Sequence, residues 1–162
     1  MIWPFRRKSK KRMARIVIDE PITSSTRVSV LKALKQIEDR EFPALIVRID
    51  SPGGTVGDSQ EIYSAIKRLK DKGCKVIASF GNISASGGVY IGVASDKIVA
   101  NPGTITGSIG VIIRGNNLSE LLDKVGIKFE TVKSGVFKDI LSPDKPLSCL
   151  LYTSPSPRDN GR

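Results

Sequence analysis

Two serines, Ser84 and Ser86, lie in the glycine-rich stretch GNISASGGVYIG, residues 81–92. A serine hydroxyl can act as a nucleophile, but it needs a base that removes its proton. The chain contains no histidine, which excludes Ser-His-Asp and Cys-His catalytic sets within the chain. Lysine remains as the base, provided that burial lowers its pKa by roughly three units from about 10.4.

The residues that follow each serine favour Ser86 over Ser84 as the nucleophile. Ser86 precedes Gly87 and Gly88, and the apolar residues after this pair predict the start of a buried helix. Glycines allow a sharp turn from loop into helix, which would leave the Ser86 hydroxyl at a helix N-terminus, where free N–H groups favour an oxyanion. A simple helix-capping role for Ser86 is the alternative.

The sequence SPGG, residues 51–54, also has two interpretations. A tight turn after a buried strand is the simpler one. In the other, Gly54 and Gly87 each direct one backbone N–H at a substrate carbonyl oxygen, and the two loops together form an oxyanion hole.

The composition argues against metal and cofactor chemistry. Cys74 and Cys149 are far apart and lack a ligand spacing. The absence of histidine removes a common ligand of zinc and iron, so we expect no metal and no cofactor. The two distant cysteines also argue against a disulfide framework and favour a reducing compartment.

The elements that must position these residues alternate between strands and helices. Helices are predicted at 26–41, around 62–69 with an end at Gly73, and at 118–125 with an end at Gly126. Strands are predicted at 14–19, 44–50, 75–80, 97–100, 111–113 and 127–132, with a loop at 101–110. This alternation predicts an α/β fold with a largely parallel sheet. Sites in such sheets gather at the carboxyl ends of strands, where both glycine-rich loops lie.

The net charge of +10 is concentrated in residues 1–15, where seven basic residues precede the first acid, Asp19. We interpret residues 1–13 as a basic arm, either a solvated tail or, with Trp3 and Phe5, a peripheral contact of residues 1–15 with an anionic membrane. Contact with nucleic acid is the least favoured interpretation, and no nucleic-acid partner is expected. The apolar core of a signal peptide and a run of ~18–20 apolar residues are both missing, which predicts a cytoplasmic protein.

Residues 148–162 interrupt the pattern, because they lack periodicity and end in Pro, Ser, Arg, Asn and Gly. We interpret this segment as a non-native tail, with a natural tail as the alternative.

Four motifs, taken in order, resemble the signal peptide peptidase A (protease IV) family. They are RIDSPGG (48–54), ASFGNISASGGVYIG (78–92), NPGTITGSIGV (101–111) and VKSGVFKDILSP (132–143). The resemblance covers residues 14–147 and implies a peptidase domain with a crotonase- or Clp protease-like fold of repeated ββα units. It further implies a serine endopeptidase with a Ser/Lys dyad, which degrades signal peptides and other hydrophobic peptides without a metal or nucleotide.

The resemblance also implies roles for individual residues. Ser86 is expected to be the nucleophile, Lys138 rather than Lys133 the general base, and Ser108 the residue that orients the lysine by a hydrogen bond. The two glycines of the oxyanion interpretation match the family's oxyanion positions. Apolar neighbours suit desolvation of Lys138, whereas the adjacent Asp139 would oppose it unless its side chain points away.

Two departures from the family pattern keep a second hypothesis open. Many members carry an N-terminal membrane anchor where this chain has a basic arm, and the family chain continues with helical segments past Pro143. The family also implies a homo-oligomer, in which the dyad forms either within or between chains. The second hypothesis is a catalytically silent fragment that acts as an assembly or peptide-binding module. Acyl-CoA chemistry is less favoured, because it would not explain Ser86 and Lys138 together.

Overall fold

A computed structural model describes residues 12–112, 115–134, 139 and 142–144. The chain divides into two compact units between Val111 and Ile112. The predictions for residues 1–11, Lys138 and the tail 148–162 lie outside the described residues. Within the described part, no helix has the length and apolar character needed to cross a membrane.

The first unit alternates between strands and helices. Its elements are β1 (Ala14–Ile18), α1 (Ser24–Asp39), β2 (Ala44–Ser51), α2 (Val56–Asp71), β3 (Lys75–Ala85), α3 (Gly87–Gly92), β4 (Lys97–Val99) and β5 (Ile105–Gly107), and the second unit contains α4 (Ser119–Lys124). The strands form one sheet in the order β1-β2-β3-β4, and β5 also pairs with β3. Every one of these pairings is parallel. The expected α/β fold with a largely parallel sheet is confirmed, and it is consistent with the crotonase- and Clp protease-like class.

The apolar periodicity of the two long helices explains how they cover the sheet. α1 buries Val30, Leu34 and Ile37 at helical spacing, and α2 likewise buries Ile62 and Leu69. In β2 one face is fully buried and the other is half-buried.

The strand β3 is the largest difference from the predicted elements, because it continues to Ala85 instead of ending at Phe80. Ile49 pairs with Phe80 and Ser51 pairs with Ser84, so residues 81–83 form a bulge opposite one residue of β2. Glycine and asparagine are rare in strands, and the sequence GN at 81–82 therefore suggests a loop where the strand bulges.

Three further predicted elements need correction. Residues 105–107 form β5, although 101–110 were predicted as a loop. The prediction of a strand at 127–132 is wrong, because these residues adopt no regular structure. The strand predicted at 111–113 is likewise wrong for Val111 and Ile112, and Ile113 lies outside the described residues. Their apolar side chains are largely exposed, and no described strand pairs with them. The predicted helix at 118–125 is confirmed as α4, and Gly126 follows it with φ of +75°.

Candidate functional site

The two glycine-rich loops contact each other at the carboxyl ends of β2 and β3. A Cβ atom on Gly53 would lie 2.8 Å from both the carbonyl oxygen of Ala85 and the amide nitrogen of Gly87, and 2.9 Å from the Cβ of Ser86. Gly53 also has a φ of +97°, a conformation that glycine adopts without strain. The loop after β2 therefore lies directly against the backbone around Ser86 because residue 53 has no side chain.

Ser86 occupies a strained position between β3 and α3. Its φ is +49° and its ψ is −117°, an uncommon combination for a residue with a side chain. Its N–H donates to the carbonyl oxygen of Gly107 (2.8 Å), and its own carbonyl accepts from Tyr90 N–H (3.0 Å). Ser86 is half-buried and its side chain makes no capping hydrogen bond to α3. A capping role alone is therefore not what this geometry supports.

The strand β5 brings Ser108 to the same edge of the sheet. Ala85 pairs with Gly107 in parallel register, so Ser86 and Ser108 each follow one member of a matched pair. Neighbouring strands lie about 4.8 Å apart, which places these two serines side by side. Ser108 is exposed and, like Ser86, has a φ of +49°.

Gly54 and Gly87 both have backbone N–H groups outside the regular hydrogen-bond ladders. Ile22 N–H donates to Gly53 O (2.9 Å) and Thr55 N–H donates to Ile22 O (3.0 Å), so the N–H of Gly54 between them points away from Ile22. Gly87 is the first residue of α3, whose N–H has no intrahelical acceptor. Both N–H groups therefore lie at the edge that carries Ser86.

Side chains at these two glycines would collide with their surroundings. A Cβ on Gly54 would lie 1.9 Å from the carbonyl oxygen of Ile22, and a Cβ on Gly87 would lie 2.4 Å from the Oγ of Ser59. Real Cβ atoms do not approach other atoms this closely. Gly54 therefore cannot be replaced without a shift of the backbone, whereas a side chain at Gly87 requires the Ser59 hydroxyl to move.

The predicted base Lys138 lies outside the described residues, as do the apolar neighbours Val136, Phe137, Ile140 and Leu141. Ser86, Ser108, Gly54 and Gly87 lie together in the first unit, and the position of Lys138 relative to them stays a prediction. In the second unit Lys133 Nζ lies 2.9 Å from Asp139 Oδ1. The carboxylate that follows Lys138 in sequence therefore pairs with Lys133.

Residues 68–149 match the family model described as peptidase family S49. The chain belongs to peptidase family S49. This S49 chain is 63% identical over 147 residues to "Putative protease slr0021" of Synechocystis sp., with 91% of the chain and 53% of that protein covered. It is 40% identical over 111 residues to "Serine protease SPPA, chloroplastic" of Arabidopsis thaliana, with 68% of the chain and 16% of that protein covered.

A solved structure supports the same family. It is a mutant of the 1510-N membrane-bound stomatin-specific protease in complex with a substrate peptide; the match has a TM-score of 0.54 and 29% identity and covers 65% of the S49 chain and 47% of that structure. The 1510-N protease comes from Pyrococcus horikoshii. The S49 chain thus spans about half the length of slr0021 and a smaller part of the other two proteins. The resemblance to the signal peptide peptidase A family is confirmed.

Sequence reasoning missed three residues of the S49 chain that hold this edge in place. Ser51 Oγ, fully buried, donates to Glu20 O (2.8 Å) and accepts from Gly53 N–H (3.2 Å). Asp50 Oδ1 accepts from an N–H of the bulge in β3 (3.0 Å), and Thr104 Oγ1 donates to a bulge carbonyl (2.8 Å). All three lie beside the glycine-rich motifs, and this proximity is the signal that could have indicated them.

Proposed function

We propose that residues 14–147 are the peptidase domain of a serine endopeptidase with a Ser86/Lys138 dyad, which degrades signal peptides and other hydrophobic peptides. The observation that carries the proposal is the position of Ser86 at the end of β3, where the SPGG loop lies against it through Gly53. Ser86 follows β3 in a strained conformation, as expected of a nucleophile that must project from the end of a strand. Membership of peptidase family S49 supports the same reaction class.

In the proposed reaction, neutral Lys138 Nζ takes the proton of the Ser86 hydroxyl while Ser86 Oγ forms a bond to the peptide carbonyl carbon. The carbonyl oxygen becomes an oxyanion that accepts hydrogen bonds from Gly54 and Gly87 N–H, each donor contributing about 3 kcal/mol. The C–N bond then breaks, and the leaving amine takes the proton from Lys138. Water afterwards hydrolyses the acyl-enzyme ester and restores the Ser86 hydroxyl.

One feature of the described residues supports these assignments. Ser108 lies beside Ser86 at the strand ends, where its hydroxyl can orient a lysine that approaches the nucleophile. A neutral lysine base requires that no carboxylate stabilises its ammonium form.

We also propose peptide substrates, a homo-oligomeric assembly, and peripheral contact of residues 1–15 with an anionic membrane surface. The 1510-N relative was solved with a substrate peptide, which supports a peptide as the substrate of this chain. The alternative function is a catalytically silent module for assembly or peptide binding.

The test is labelling with a serine-reactive fluorophosphonate, followed by mass spectrometry of the modified peptide. We expect the adduct at Ser86, no adduct in Ser86→Ala, and normal labelling in Ser84→Ala. Lys138→Ala should slow labelling by about 100-fold or more, whereas Lys133→Ala should not. If Lys138→Ala leaves the rate of labelling at Ser86 unchanged, the dyad is refuted. A folded wild-type chain that is never labelled would favour the silent module.

A further inference from the structure

The bulge in β3 is the point at which this strand changes its neighbour. Residues 77–79 pair with β4, whereas residues 83–85 pair with β5. Residues 81–83, where this change occurs, lie opposite Asp50 of β2, and here the ladder between β2 and β3 shifts its register. The segment that ends at Ser86 therefore takes its direction from this bulge.

On the β2 side, the Asp50 carboxylate lies over the bulge. Its Oδ1 accepts a hydrogen bond from Ile83 N–H at 3.0 Å. The backbone N–H groups of Ile83 and Asn82 hold the pKa of Asp50 below its ordinary value, which is the effect of donors directed at a carboxylate. A Cβ on Gly81 would lie 2.3 Å from Asp50 Cγ. The carboxylate thus replaces the backbone partners that the bulge loses.

On the opposite side, Thr104 holds the same segment. Its Oγ1 donates to the carbonyl oxygen of Gly81 at 2.8 Å and accepts from Asn101 N–H at 3.1 Å. Thr104 directly precedes β5, the strand whose last residue, Gly107, accepts the hydrogen bond from Ser86 N–H. The hydroxyl therefore joins the bulge to the strand that ends at Ser108.

We propose that Asp50 and Thr104 are positioning residues that fix the bulge at 81–83 and thereby set Ser86 beside Ser108. We call this pair the bulge clamp. Neighbouring residues of a strand face opposite sides of the sheet. A shift of one residue in the register between β3 and β5 would therefore place Ala85, instead of Ser86, beside Ser108. The bulge clamp prevents this shift because Asp50 accepts hydrogen bonds from backbone N–H groups of the bulge on one side, and Thr104 donates to a backbone carbonyl of the bulge on the other. The role of the bulge clamp in catalysis rests on the proposed function, whereas its role in fixing the bulge does not.

Asp96, which directly precedes β4, provides a matched control because its carboxylate also accepts a backbone hydrogen bond from β3. Its Oδ2 accepts from Val76 N–H at 2.7 Å, and this hydrogen bond holds the pKa of Asp96 below its ordinary value. Asp96→Asn therefore weakens a carboxylate–backbone bond of the same kind near the start of β3, far along the strand from Ser86. Asp50→Asn makes the equivalent change at the clamp.

The first measurement is amide hydrogen exchange by NMR on the whole chain, which requires no activity. Loss of one hydrogen bond corresponds to about tenfold in a local opening equilibrium. We expect Asp50→Asn and Thr104→Val to speed exchange of the Ser86 N–H by about tenfold or more. Asp96→Asn should leave this N–H unchanged, and Thr104→Ser, which keeps the hydroxyl, should restore protection. Equal effects of Asp50→Asn and Asp96→Asn would overturn the clamp.

The second measurement is the rate of fluorophosphonate labelling at Ser86. Asp50→Asn and Thr104→Val should lower this rate by about tenfold, following the loss of Ser86 placement, while Asp96→Asn and Thr104→Ser should not. If wild type is labelled at Ser86 and Thr104→Val labels equally fast, the clamp is refuted and the proposed function stands. If wild type is not labelled but the exchange pattern appears, the proposed function fails and the structural clamp stands. Should Asp50→Asn fail to fold, the Thr104→Val and Thr104→Ser pair decides the question.

Discussion

Ser51 and Ser84 face each other across β2 and β3, and their truncation to alanine should change stability in opposite directions. The two residues are register partners, and both side chains are fully buried with 0% exposure. The chemical change, loss of one hydroxyl, is the same in both. The difference lies only in the hydrogen bonds that each hydroxyl makes.

Ser51→Ala removes two hydrogen bonds at once. The Ser51 hydroxyl donates to Glu20 O and accepts from Gly53 N–H, and the second of these bonds is buried. Leaving a buried N–H without an acceptor costs about 1–3 kcal/mol. We therefore expect Ser51→Ala to lower the free energy of unfolding by about 2 kcal/mol.

Ser84→Ala should have the reverse effect. The Ser84 Oγ has no hydrogen-bond partner among the residues that the structure describes, and a buried hydroxyl without a partner costs about 1–3 kcal/mol in proteins. Removal of this hydroxyl therefore eliminates the desolvation cost. A small loss of packing around the missing oxygen atom offsets part of this gain in stability. We expect the free energy of unfolding to rise by about 1 kcal/mol.

The assay is urea unfolding of both variants and wild type at about pH 7, with m-values compared to exclude a change in the unfolded state. The two variants should differ by about 3 kcal/mol in free energy of unfolding. A loss of more than about 1 kcal/mol in Ser84→Ala would mean that its hydroxyl is hydrogen-bonded, and equal losses in both variants would refute the reasoning.

Three further predictions follow from single contacts. Gly54→Ala should lower the free energy of unfolding by about 3 kcal/mol, because its Cβ would meet a backbone carbonyl oxygen at 1.9 Å. Gly57→Ala is the control, since no atom lies within 4 Å of its Cβ. This second variant should raise the free energy of unfolding by about 0.5 kcal/mol in the same urea assay. Backbone N–H groups hold the pKa values of the Asp50 and Asp96 carboxylates below the ordinary value in the folded chain. Their stabilisation is therefore present above the ordinary carboxylate pKa and is lost as the pH falls through the lower folded values. Unfolding followed from about pH 4 to about pH 2 should show a smaller loss of stability in the double Asn variant. Burial raises the pKa of Cys74, so at about pH 8 iodoacetamide should alkylate it about 100-fold more slowly in the folded chain than in urea, as measured by mass spectrometry.

The sequence predicted elements whose pattern is local. The apolar spacing in α2 and the glycine that follows it determine that helix and its end, since both signals lie within one segment. The predicted strands at 14–19 and 44–50 correspond closely to β1 and β2. The three-residue strand β5 could not be predicted in the same way, because it is stabilised by pairing with residues about 20 positions earlier in the chain.

The site was predictable to a similar extent. The glycine pair singled out Ser86 over Ser84, and the fully buried position of Ser84 agrees with that choice. The proximity of the SPGG loop to Ser86 followed from the rule that strand ends share an edge. The contribution of Asp50 could not be predicted, because it depends on a change of register between two strands that no local pattern encodes. Lys138 as the base stays a prediction.

The contact of Gly53 with Ala85 and Gly87 has a consequence for which sequence changes the site tolerates. Gly53 packs mainly against main-chain atoms of the other loop, the carbonyl oxygen of Ala85 and the amide nitrogen of Gly87. Most side-chain variation around Ser86 can therefore alter what the site binds without altering where its N–H groups lie. Gly53 and Gly54 are exceptions, since a side chain at either residue would collide with main-chain atoms.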